Sequence, residues 1–384
     1  MNCALSKNEQ NVMSSTTYKG LLELEGHHDG YLRQISLELE RNNADPRVST
    51  NFIRHCKLRE GCFVEGTTKR SGRGGQEIVD ILHVNGKKPN EWIGVEEFSH
   101  RTAIDPRDRI KLTTSRADVS MRVVELLCPL GKGQRALIVA PPRSGKTVLM
   151  QQFAHAVSTN HPEIDLMVLL VDERPEEVTD MRRTIRGEVF ASSSDSDREN
   201  HVRLAKLVLE YAKRKAEVGH DVVLLLDSLT KMGRAFNAVQ RSSGRTMSGG
   251  VDSRALEIPK KIFGAARTLE GGGSLTIVAT ALIETNSRMD ELIFQEFKGT
   301  GNMELVLNRD LANDRIFPAI NIPESGTRRE ELLFGNDTRE YQMLRRAFNR
   351  MKPKEAMLNL LKLMERYPTN RALLSKLSHE KSFE

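Results

Sequence analysis

The chain has 384 residues, a length that suits one small and one large domain. Its formal net charge of +6 favours a polyanionic partner but does not distinguish RNA, DNA or an acidic surface. Its four cysteines lack the paired spacing of a zinc site or a disulfide framework. Its apolar runs are too short to span a bilayer, and we expect a cytoplasmic protein with no membrane partner.

The first part of the chain is predicted to be a short tail followed by a small barrel. Residues 1–17 are polar and are predicted to form a flexible tail. Residues 18–82 contain short alternating segments broken by glycines and charges, a pattern that fits an oligonucleotide-binding (OB-fold), cold-shock-like barrel. In this barrel we predict that Tyr31 supplies a stacking face for a nucleic-acid base and that Arg33 supplies a phosphate contact.

The rest of the chain is predicted to be a connector and a large α/β domain. Residues 83–116 contain prolines and several charges and are predicted to be the connector, and residues 117–384 to be the large domain. Apolar runs in the large domain have the spacing of parallel strands covered by helices on both faces. These runs are 136–139, 166–171, 222–226, 275–279 and 303–307. After Pro353, a helical stripe of Met357, Leu361 and Met364 predicts a helical cap.

A phosphate-binding loop is predicted between the first of these strands and a helical run at 148–157. The loop reads Ala140-Pro-Pro-Arg-Ser-Gly-Lys-Thr147, with alanine where the first glycine of the usual pattern stands. Gly145 lets the backbone approach a phosphate, Lys146 can reach the β- and γ-phosphates, and Thr147 offers a hydroxyl to Mg²⁺. The pattern predicts ATP and Mg²⁺ as cofactors.

Asp227 follows the apolar run 222–226 directly. A carboxylate at the carboxyl end of a strand beside a phosphate loop is predicted to help hold Mg²⁺. The alternative is that Asp227 caps the next helix.

Glu173 follows the strand at 166–171 and is predicted to orient the attacking water against the γ-phosphate. Arg174 is the predicted charge partner of this carboxylate. The alternative is an acidic turn that begins a helix, which explains Glu176 and Glu177 better than it explains Glu173.

Several short sequence motifs, in a fixed order along the chain, together resemble those of one protein family. They are Gly131–Arg135, the phosphate loop, Val171–Val178, Phe263–Arg267, Glu296–Gly301, Arg315–Pro318 and Ser325–Glu330. From about Tyr18 onward the chain resembles the Rho family of bacterial transcription termination factors, which are ring-shaped, RNA-dependent ATPases of the RecA-like class. It is similar to a short form without the usual helical amino-terminal subdomain.

The resemblance implies roles at the nucleotide site. Phe317 would stack on adenine, Arg328 would act as an arginine finger from a neighbouring subunit, and Arg315 would assist it. The remaining residues predicted to bind ATP are Gly131, Lys132, Gly133, Gln134, Arg135, Ala136, Arg143, Ser144, Gly145, Lys146, Thr147, Val148 and Arg174.

The resemblance also implies a homohexamer that moves along nascent single-stranded RNA and releases it from RNA polymerase. Two channel loops, residues 241–250 and 284–290, would line the central hole of the ring, with Arg245 and Thr246 in the first, Arg288 in the second and Lys298 beyond it. In the barrel, Asp29, Arg47 and Ile78 stand where similar proteins commonly carry aromatic residues. Arg47 is nevertheless predicted to contact RNA.

Two other functions fit parts of the pattern. A rotary or secretion-type ATPase subunit would share the phosphate loop and the Glu-Arg pair but would engage a protein partner. An RNA-binding regulator with an inactive motor is disfavoured by intact Lys146, Glu173, Asp227 and Arg328.

Overall fold

The computed structural model describes residues 16–26, 29–71, 75–240 and 248–379. Contacts divide the chain into two compact units, Met1–Glu96 and Glu97–Glu384. The division falls inside the segment predicted to be the connector. The first strand begins at Thr16 and so includes the last two residues of the predicted tail.

The amino-terminal unit contains a closed five-stranded barrel in the order β1-β2-β3-β5-β4. Its elements are β1 (Thr16–Leu24), β2 (Gly30–Arg33), β3 (Arg47–Val48), α1 (Thr50–His55), β4 (Phe63–Arg70), β5 (Gln76–Val84) and α2 (Pro89–Ile93). This is the predicted OB-fold barrel. Closure leaves no long unpaired strand edge.

Every second side chain of a barrel strand points inward, and these side chains fill the barrel core. Along β4, Val64, Gly66 and Thr68 are buried and their neighbours are not, as expected for a strand with one face inward. A Cβ added to Gly66 would lie 2.6 Å from the Asp80 carbonyl oxygen on β5. Glycine is therefore required where these two strands cross closely.

The carboxy-terminal unit is built on a large mixed sheet. Its strands are β6 (Ala103–Ile104), β9 (Arg135–Ala140), β10 (Asp165–Glu173), β11 (Glu188–Ser193), β12 (Asp221–Asp227), β13 (Arg267–Leu269), β14 (Ser274–Leu282), β15 (Met303–Val306) and β16 (Gly326–Thr327). The strands β7 (Arg109–Ile110) and β8 (Leu130–Gly131) form a separate two-stranded sheet. The main order is β11-β10-β12-β14-β9-β15-β16, and β13 joins β14 to β6. From β11 to β15 all pairs are parallel, so the carboxyl ends of these strands meet at one edge of the sheet.

Helices follow most of these strands. They are α3 (Val119–Leu127), α4 (Lys146–Asn160), α5 (Pro175–Thr184), α6 (Arg198–Glu217), α7 (Leu229–Val239), α8 (Glu257–Phe263), α9 (Arg288–Phe297), α10 (Arg309–Asn313), α11 (Glu331–Phe334), α12 (Thr338–Phe348), α13 (Pro353–Arg366) and α14 (Asn370–His379). Short 3₁₀ helices span Ser248–Gly250 and Gly335–Asp337. None of the helices described is long and apolar enough to cross a membrane.

The predicted strands of the large domain are all present, and their central residues are buried, as expected for parallel strands covered by helices. Strand β11 was not predicted because its sequence, Glu-Val-Phe-Ala-Ser-Ser, mixes polar and apolar residues at the sheet edge. In α13 the buried stripe contains Leu360, and the predicted Leu361 is only half-buried. The predicted helical face is therefore displaced by one residue at that position.

Candidate functional site

The loop between β9 and α4 has the geometry of an anion-binding turn. Its last residue, Gly145, has a φ of +91°, a left-handed conformation that glycine adopts without strain. The buried Ser144 hydroxyl donates a 2.7 Å hydrogen bond to the Pro141 carbonyl and so ties the loop together. Because the N-cap residue is glycine, no side-chain cap occupies the first-turn amides of α4. These amides lie at the positive end of the helix and can bind an anion.

Lys146 and Asp227 meet beside this loop. The Lys146 Nζ lies 2.5 Å from both carboxylate oxygens of Asp227. Asp227 is only 1% exposed, and its Oδ1 also accepts a 2.7 Å hydrogen bond from the Thr280 hydroxyl on β14. The N-cap of α7 is Ser228, whose hydroxyl accepts from the Lys231 amide. The alternative that Asp227 caps this helix is therefore wrong.

Glu173, the last residue of β10, is 4% exposed and is bound on both oxygens by one lysine. The Lys231 Nζ donates to Oε1 at 2.7 Å and Oε2 at 2.6 Å, and also to the Asp172 carbonyl at 2.9 Å. Burial raises the pKa of Glu173, and the nearby charge of Asp227 adds to the increase. The charges of Lys146 and Lys231 act in the opposite direction.

The predicted charge partner of Glu173 was wrong. Arg174 is exposed and provides the N-cap position of α5, whereas Lys231 holds the carboxylate. Sequence reasoning missed Lys231. The available signal was its position four residues after Asp227, one turn into a helix that begins at the same edge of the sheet.

Other predicted nucleotide ligands lie around the phosphate loop. The Thr147 hydroxyl is 3.4 Å from Glu177 Oε2, and Arg143 and Val148 are exposed. Glu177 lies with Glu176 in the first turn of α5, which agrees with their interpretation as a helix start.

Phe317 lies against the phosphate loop of its own chain. A Cβ added to Gly145 would lie 3.6 Å from Phe317 Cε1, and the phenylalanine is 48% exposed. Arg315, two residues earlier, is also exposed. The structure thus leaves an aromatic face open beside the loop.

Arg328 lies at the opposite edge of the sheet. Its amide donates to the Asn302 carbonyl at 2.7 Å, and the Asn302 amide donates to the Arg135 carbonyl at 2.7 Å. Arg135 begins β9 and Ala140 ends it, so these groups are separated from the phosphate loop by the strand length, roughly 16 Å. Burial, together with the charges of Arg267 and Arg328, lowers the pKa of Arg135.

Residues 131–136 lie at this same amino edge of the sheet, a strand length from the phosphate loop. The prediction that they line the nucleotide pocket of their own chain is therefore wrong. Several of their groups hold the turn itself. Gly131 donates its amide to the buried Gln134 side chain at 2.7 Å, Lys132 pairs with Asp221 at 2.7 Å, and Ala136 is fully buried. Gly133 has a φ of +88°.

Of the predicted channel residues, Arg245 and Thr246 lie outside the described residues. Arg288 begins α9 and is exposed, and Lys298 is exposed at its C-cap, about 15 Å away along the helix. A Cβ added to Gly249 would lie 2.9 Å from the Arg288 carbonyl oxygen. The end of the first loop therefore packs directly on the start of α9.

Arg33 in the barrel is buried, at 3% exposed, and cannot make the predicted phosphate contact. Its guanidinium pairs with Glu23 at 2.6 Å and Asp45 at 2.8 Å, and lies 5.1 Å from the centre of the Tyr31 ring. A buried cation with two carboxylate partners is a structural group. The prediction for this residue was wrong.

Arg47 is half-exposed and pairs with Asp29 at 3.0 Å and Glu77 at 3.7 Å. It lies opposite Tyr31 in the β2–β3 ladder. Both residues line a cleft of about 450 Å³. Ile78 is buried in the barrel core and does not face this cleft.

The fold and the polar groups at the carboxyl edge define a RecA-like P-loop ATPase domain that follows an OB-fold barrel. Residues 120–327 match the nucleotide-binding domain of the ATP synthase alpha/beta family. Residues 18–90 match the RNA-binding domain of the Rho termination factor.

Curated relatives name the family more narrowly. The chain is 50% identical over 356 residues to transcription termination factor Rho of Streptomyces coelicolor, covering 92% of this chain and 84% of the relative. It is 44% identical over 379 residues to Rho of Borreliella burgdorferi, covering 98% and 73% of the two chains. The chain belongs to the transcription termination factor Rho family.

A solved structure supports the fold alone. A prototypical ATPase from the type III secretion system of pathogenic bacteria superimposes with a TM-score of 0.56 at 22% identity, covering 72% of this chain and 73% of that one. The Rho RNA-binding domain and the much higher identity to Rho proteins do not favour the predicted alternative of a rotary or secretion-type subunit.

Proposed function

We propose that the chain is an ATP-dependent transcription termination factor that binds nascent single-stranded RNA, moves along it and releases it from RNA polymerase. The observation that carries the proposal is the pair of contacts Lys146–Asp227 and Glu173–Lys231 beside a phosphate loop, in a chain with a Rho RNA-binding domain. Such a factor acts in the cytoplasm.

The phosphate loop binds the triphosphate of ATP. The first-turn amides of α4 donate hydrogen bonds to the phosphate oxygens, and the Lys146 ammonium moves from Asp227 to the β- and γ-phosphates. Arg143 and Ser144 belong to this loop, and Val148 follows it. Adenine stacks on Phe317, whose exposed ring lies beside Gly145.

Asp227 and Thr147 fit a Mg²⁺ ion bound with the nucleotide. Both offer oxygen donors, the type that Mg²⁺ prefers, and Mg²⁺ is typically held by one or two protein groups together with phosphates and water. Accordingly, the described residues contain no cluster of three or more His, Cys, Asp or Glu side chains that could hold a metal by themselves. When bound, the ion neutralises charge on the phosphates.

Glu173 orients the attacking water and accepts its proton. Its burial places the carboxylate in a dry site, where the raised pKa makes it a stronger base than an exposed glutamate. Hydrolysis then depends on positioning and on neutralising charge at the γ-phosphate.

Arg328 completes the site of a neighbouring subunit. It lies at the amino edge of the sheet, roughly a strand length from its own phosphate loop, so it can reach a nucleotide only on another chain. A head-to-tail ring places the amino edge of one subunit against the carboxyl edge of the next. Arg135 lies beside Arg328 on this edge, and Arg315 assists from the nucleotide side. We infer a homohexamer.

RNA passes through the ring against Arg288 and Lys298, whose exposed positions on α9 suit contacts with a phosphate backbone. The barrel binds RNA first, with Tyr31 as a stacking face and Arg47 opposite it in the β-ladder. A guanidinium plane can also stack on a base.

The proposal is tested with transcription complexes stalled on immobilised DNA. Purified protein with ATP is expected to release the transcript into the supernatant, and Lys146→Ala protein is expected to release none. Replacing ATP by a non-hydrolysable analogue should also prevent release. Transcript that stays bound under all conditions would contradict the proposal.

A further inference from the structure

The barrel cleft beside Tyr31 is lined by arginines that carboxylates already bind. Tyr31 on β2, Arg47 on β3 and Glu77 on β5 are neighbours across three strands, because Arg47 pairs with each of the other two in the ladders. All three line the cleft of about 450 Å³. A molecule that enters the cleft therefore meets an aromatic ring, a cation and a carboxylate in one row.

Arg47 is held by carboxylates on two sides. Its Nε lies 3.0 Å from Asp29 Oδ2, and a terminal nitrogen lies 3.7 Å from Glu77 Oε1. The side chains of Arg47, Asp29 and Glu77 are 38%, 30% and 36% exposed, so a ligand can reach all of them. The positive charge of Arg47 is therefore accessible but already matched by two negative charges.

Asp29 is fixed in the position from which it binds Arg47. Its other oxygen, Oδ1, accepts hydrogen bonds from the Thr50 amide and the Thr50 hydroxyl, both at 2.9 Å. Thr50 is the first residue of α1, so the carboxylate is tied to a second element of the barrel. A carboxylate that is already held loses little side-chain entropy when it pairs, which strengthens an exposed ion pair.

The other arginines of the cleft are also paired. Arg33 binds Glu23 at 2.6 Å and Asp45 at 2.8 Å, and Arg41 binds Glu23 at 2.7 Å. Glu25 lies 3.5 Å from a further nitrogen of Arg33. Among the residues that the structure describes, the three cleft arginines thus contact five carboxylates. These ion pairs carry no excess of positive charge, in contrast to a groove that follows a phosphate backbone.

We propose that Asp29, supported by Glu77, competes with RNA phosphate for Arg47 and so limits the affinity of the barrel for RNA. The inference rests on the proposed function. A phosphate can bind the guanidinium only by displacing carboxylates that are already in place, so the new ion pair is offset by the loss of the old one. Arg47 is thereby withheld from the RNA backbone.

The salt dependence of RNA binding measures this competition. For single strands, the logarithm of the binding constant plotted against the logarithm of salt concentration has a slope of about −0.7 per neutralised phosphate. The probe is a labelled RNA of about ten cytidines, within the roughly 4–16 nucleotides that one such barrel covers. Fluorescence anisotropy with the whole chain gives Kd at salt concentrations between about 50 and 200 mM.

Asp29→Asn is expected to release Arg47 to the RNA. Asparagine keeps an oxygen that can accept from Thr50 and removes only the charge. Binding should become about two- to fivefold tighter, as expected when one exposed ion pair no longer competes. The salt slope should steepen by about 0.7, for one more phosphate contact. Phosphate contacts elsewhere in the protein are the same in both proteins, so the difference belongs to the barrel.

Three further proteins assign the change to Arg47. Glu77→Gln removes the weaker contact and should shift both quantities in the same direction by less. Glu65→Gln removes the same charge from the same barrel, at a 3.1 Å pair with Lys19 outside the cleft, and should bind RNA as the wild type does. In an Arg47→Met background no cation remains to be released, so adding Asp29→Asn should change neither Kd nor slope.

Wild-type affinity and slope in both Asp29→Asn and Glu77→Gln would overturn the proposal. An equal change in Glu65→Gln, or a change by Asp29→Asn that persists in the Arg47→Met background, would also overturn it, since the effect would not pass through Arg47. Wild-type protein that binds no RNA, with no binding gained in Asp29→Asn, would contradict the proposed function itself and the competition with it.

Discussion

Each of the two buried carboxylates at the carboxyl edge of the sheet is held by one lysine. Asp227 binds Lys146 and Glu173 binds Lys231, with all four distances between 2.5 and 2.7 Å. A buried carboxylate without such a partner would favour its protonated form. Each lysine therefore compensates the negative charge of its buried carboxylate.

The raised pKa of Glu173 predicts a particular pH dependence. A general base must be deprotonated, so kcat/KM, which reports the nucleotide-free enzyme, is expected to fall as pH falls through the pKa of this group. Because burial raises that pKa above the ordinary 4.5, the acid limb of the kcat/KM profile should lie at higher pH than for an exposed glutamate. Initial rates at ATP concentrations well below KM, at several pH values, give this profile.

A matched variant tests whether the acid limb of the pH profile comes from Glu173. Glu173→Gln has no titrating carboxylate and should show a much lower kcat/KM without the acid limb. An acid limb centred near the ordinary carboxyl value in wild-type protein would contradict a raised pKa.

Residue identities at the phosphate loop and strand ends were predictable from the sequence, whereas partners were not. Lys146 follows the phosphate loop, Glu173 and Asp227 end their strands, and the ends of parallel strands meet. Lys231 pairs with a residue 58 positions earlier, so only the register of β10 and β12 brings the two together. The sequence offered the adjacent Arg174 instead, which turns to the surface.

At the scale of elements, the barrel depends on one buried arginine. Arg33 ends β2 and pairs with Glu23 on β1 and Asp45 in the segment before β3. Removing one member of a buried ion pair leaves an uncompensated charge and typically costs about 3–5 kcal/mol. Arg33→Met is therefore expected to lower the free energy of unfolding of the barrel by about that amount.

Trp92 reports this unfolding without interference. It is the single tryptophan, lies in the amino-terminal unit and is buried. Its fluorescence in a urea titration should show the loss in Arg33→Met. The matched control Arg47→Met removes a half-exposed pair with Asp29 and should cost at most about 1 kcal/mol. Equal stability of wild type and Arg33→Met would show that Arg33 does not hold the barrel.

The elements themselves were largely predictable, because hydrophobic periodicity is a local property. The buried strands β9, β10, β12 and β14 stand out as apolar runs. Strand β11 and helix α12 do not, since β11 is a partly polar edge strand and α12 is rich in charges. Arg33 was misassigned because its burial depends on Glu23 and Asp45, which the strand pattern does not reveal.

At the scale of the whole molecule, the two edges of the parallel sheet carry complementary halves of one proposed site. The phosphate loop and the carboxylates lie at the carboxyl edge, and Arg135 and Arg328 lie at the amino edge. A single chain cannot bring the halves together. Turnover is therefore expected to need contact between subunits.

Mixing two inactive variants tests this arrangement. Lys146→Ala and Arg328→Ala proteins should each lose turnover when assembled alone. In rings assembled from equal amounts, about a quarter of the interfaces combine an intact Lys146 with an intact Arg328 from the next subunit. Part of the turnover should therefore return. No recovery in verified mixed rings would contradict a trans role for Arg328.

Dependence of turnover on RNA is measured by steady-state ATP hydrolysis with the purified protein at fixed salt. Reactions would contain no polymer, cytidine-rich RNA, or single-stranded DNA of the same sequence, because backbone binding alone is salt-dependent and common to both polymers. We predict strong stimulation by RNA, little by DNA, and no turnover in Lys146→Ala. Basal turnover that RNA does not raise would contradict the account of an RNA-dependent termination factor.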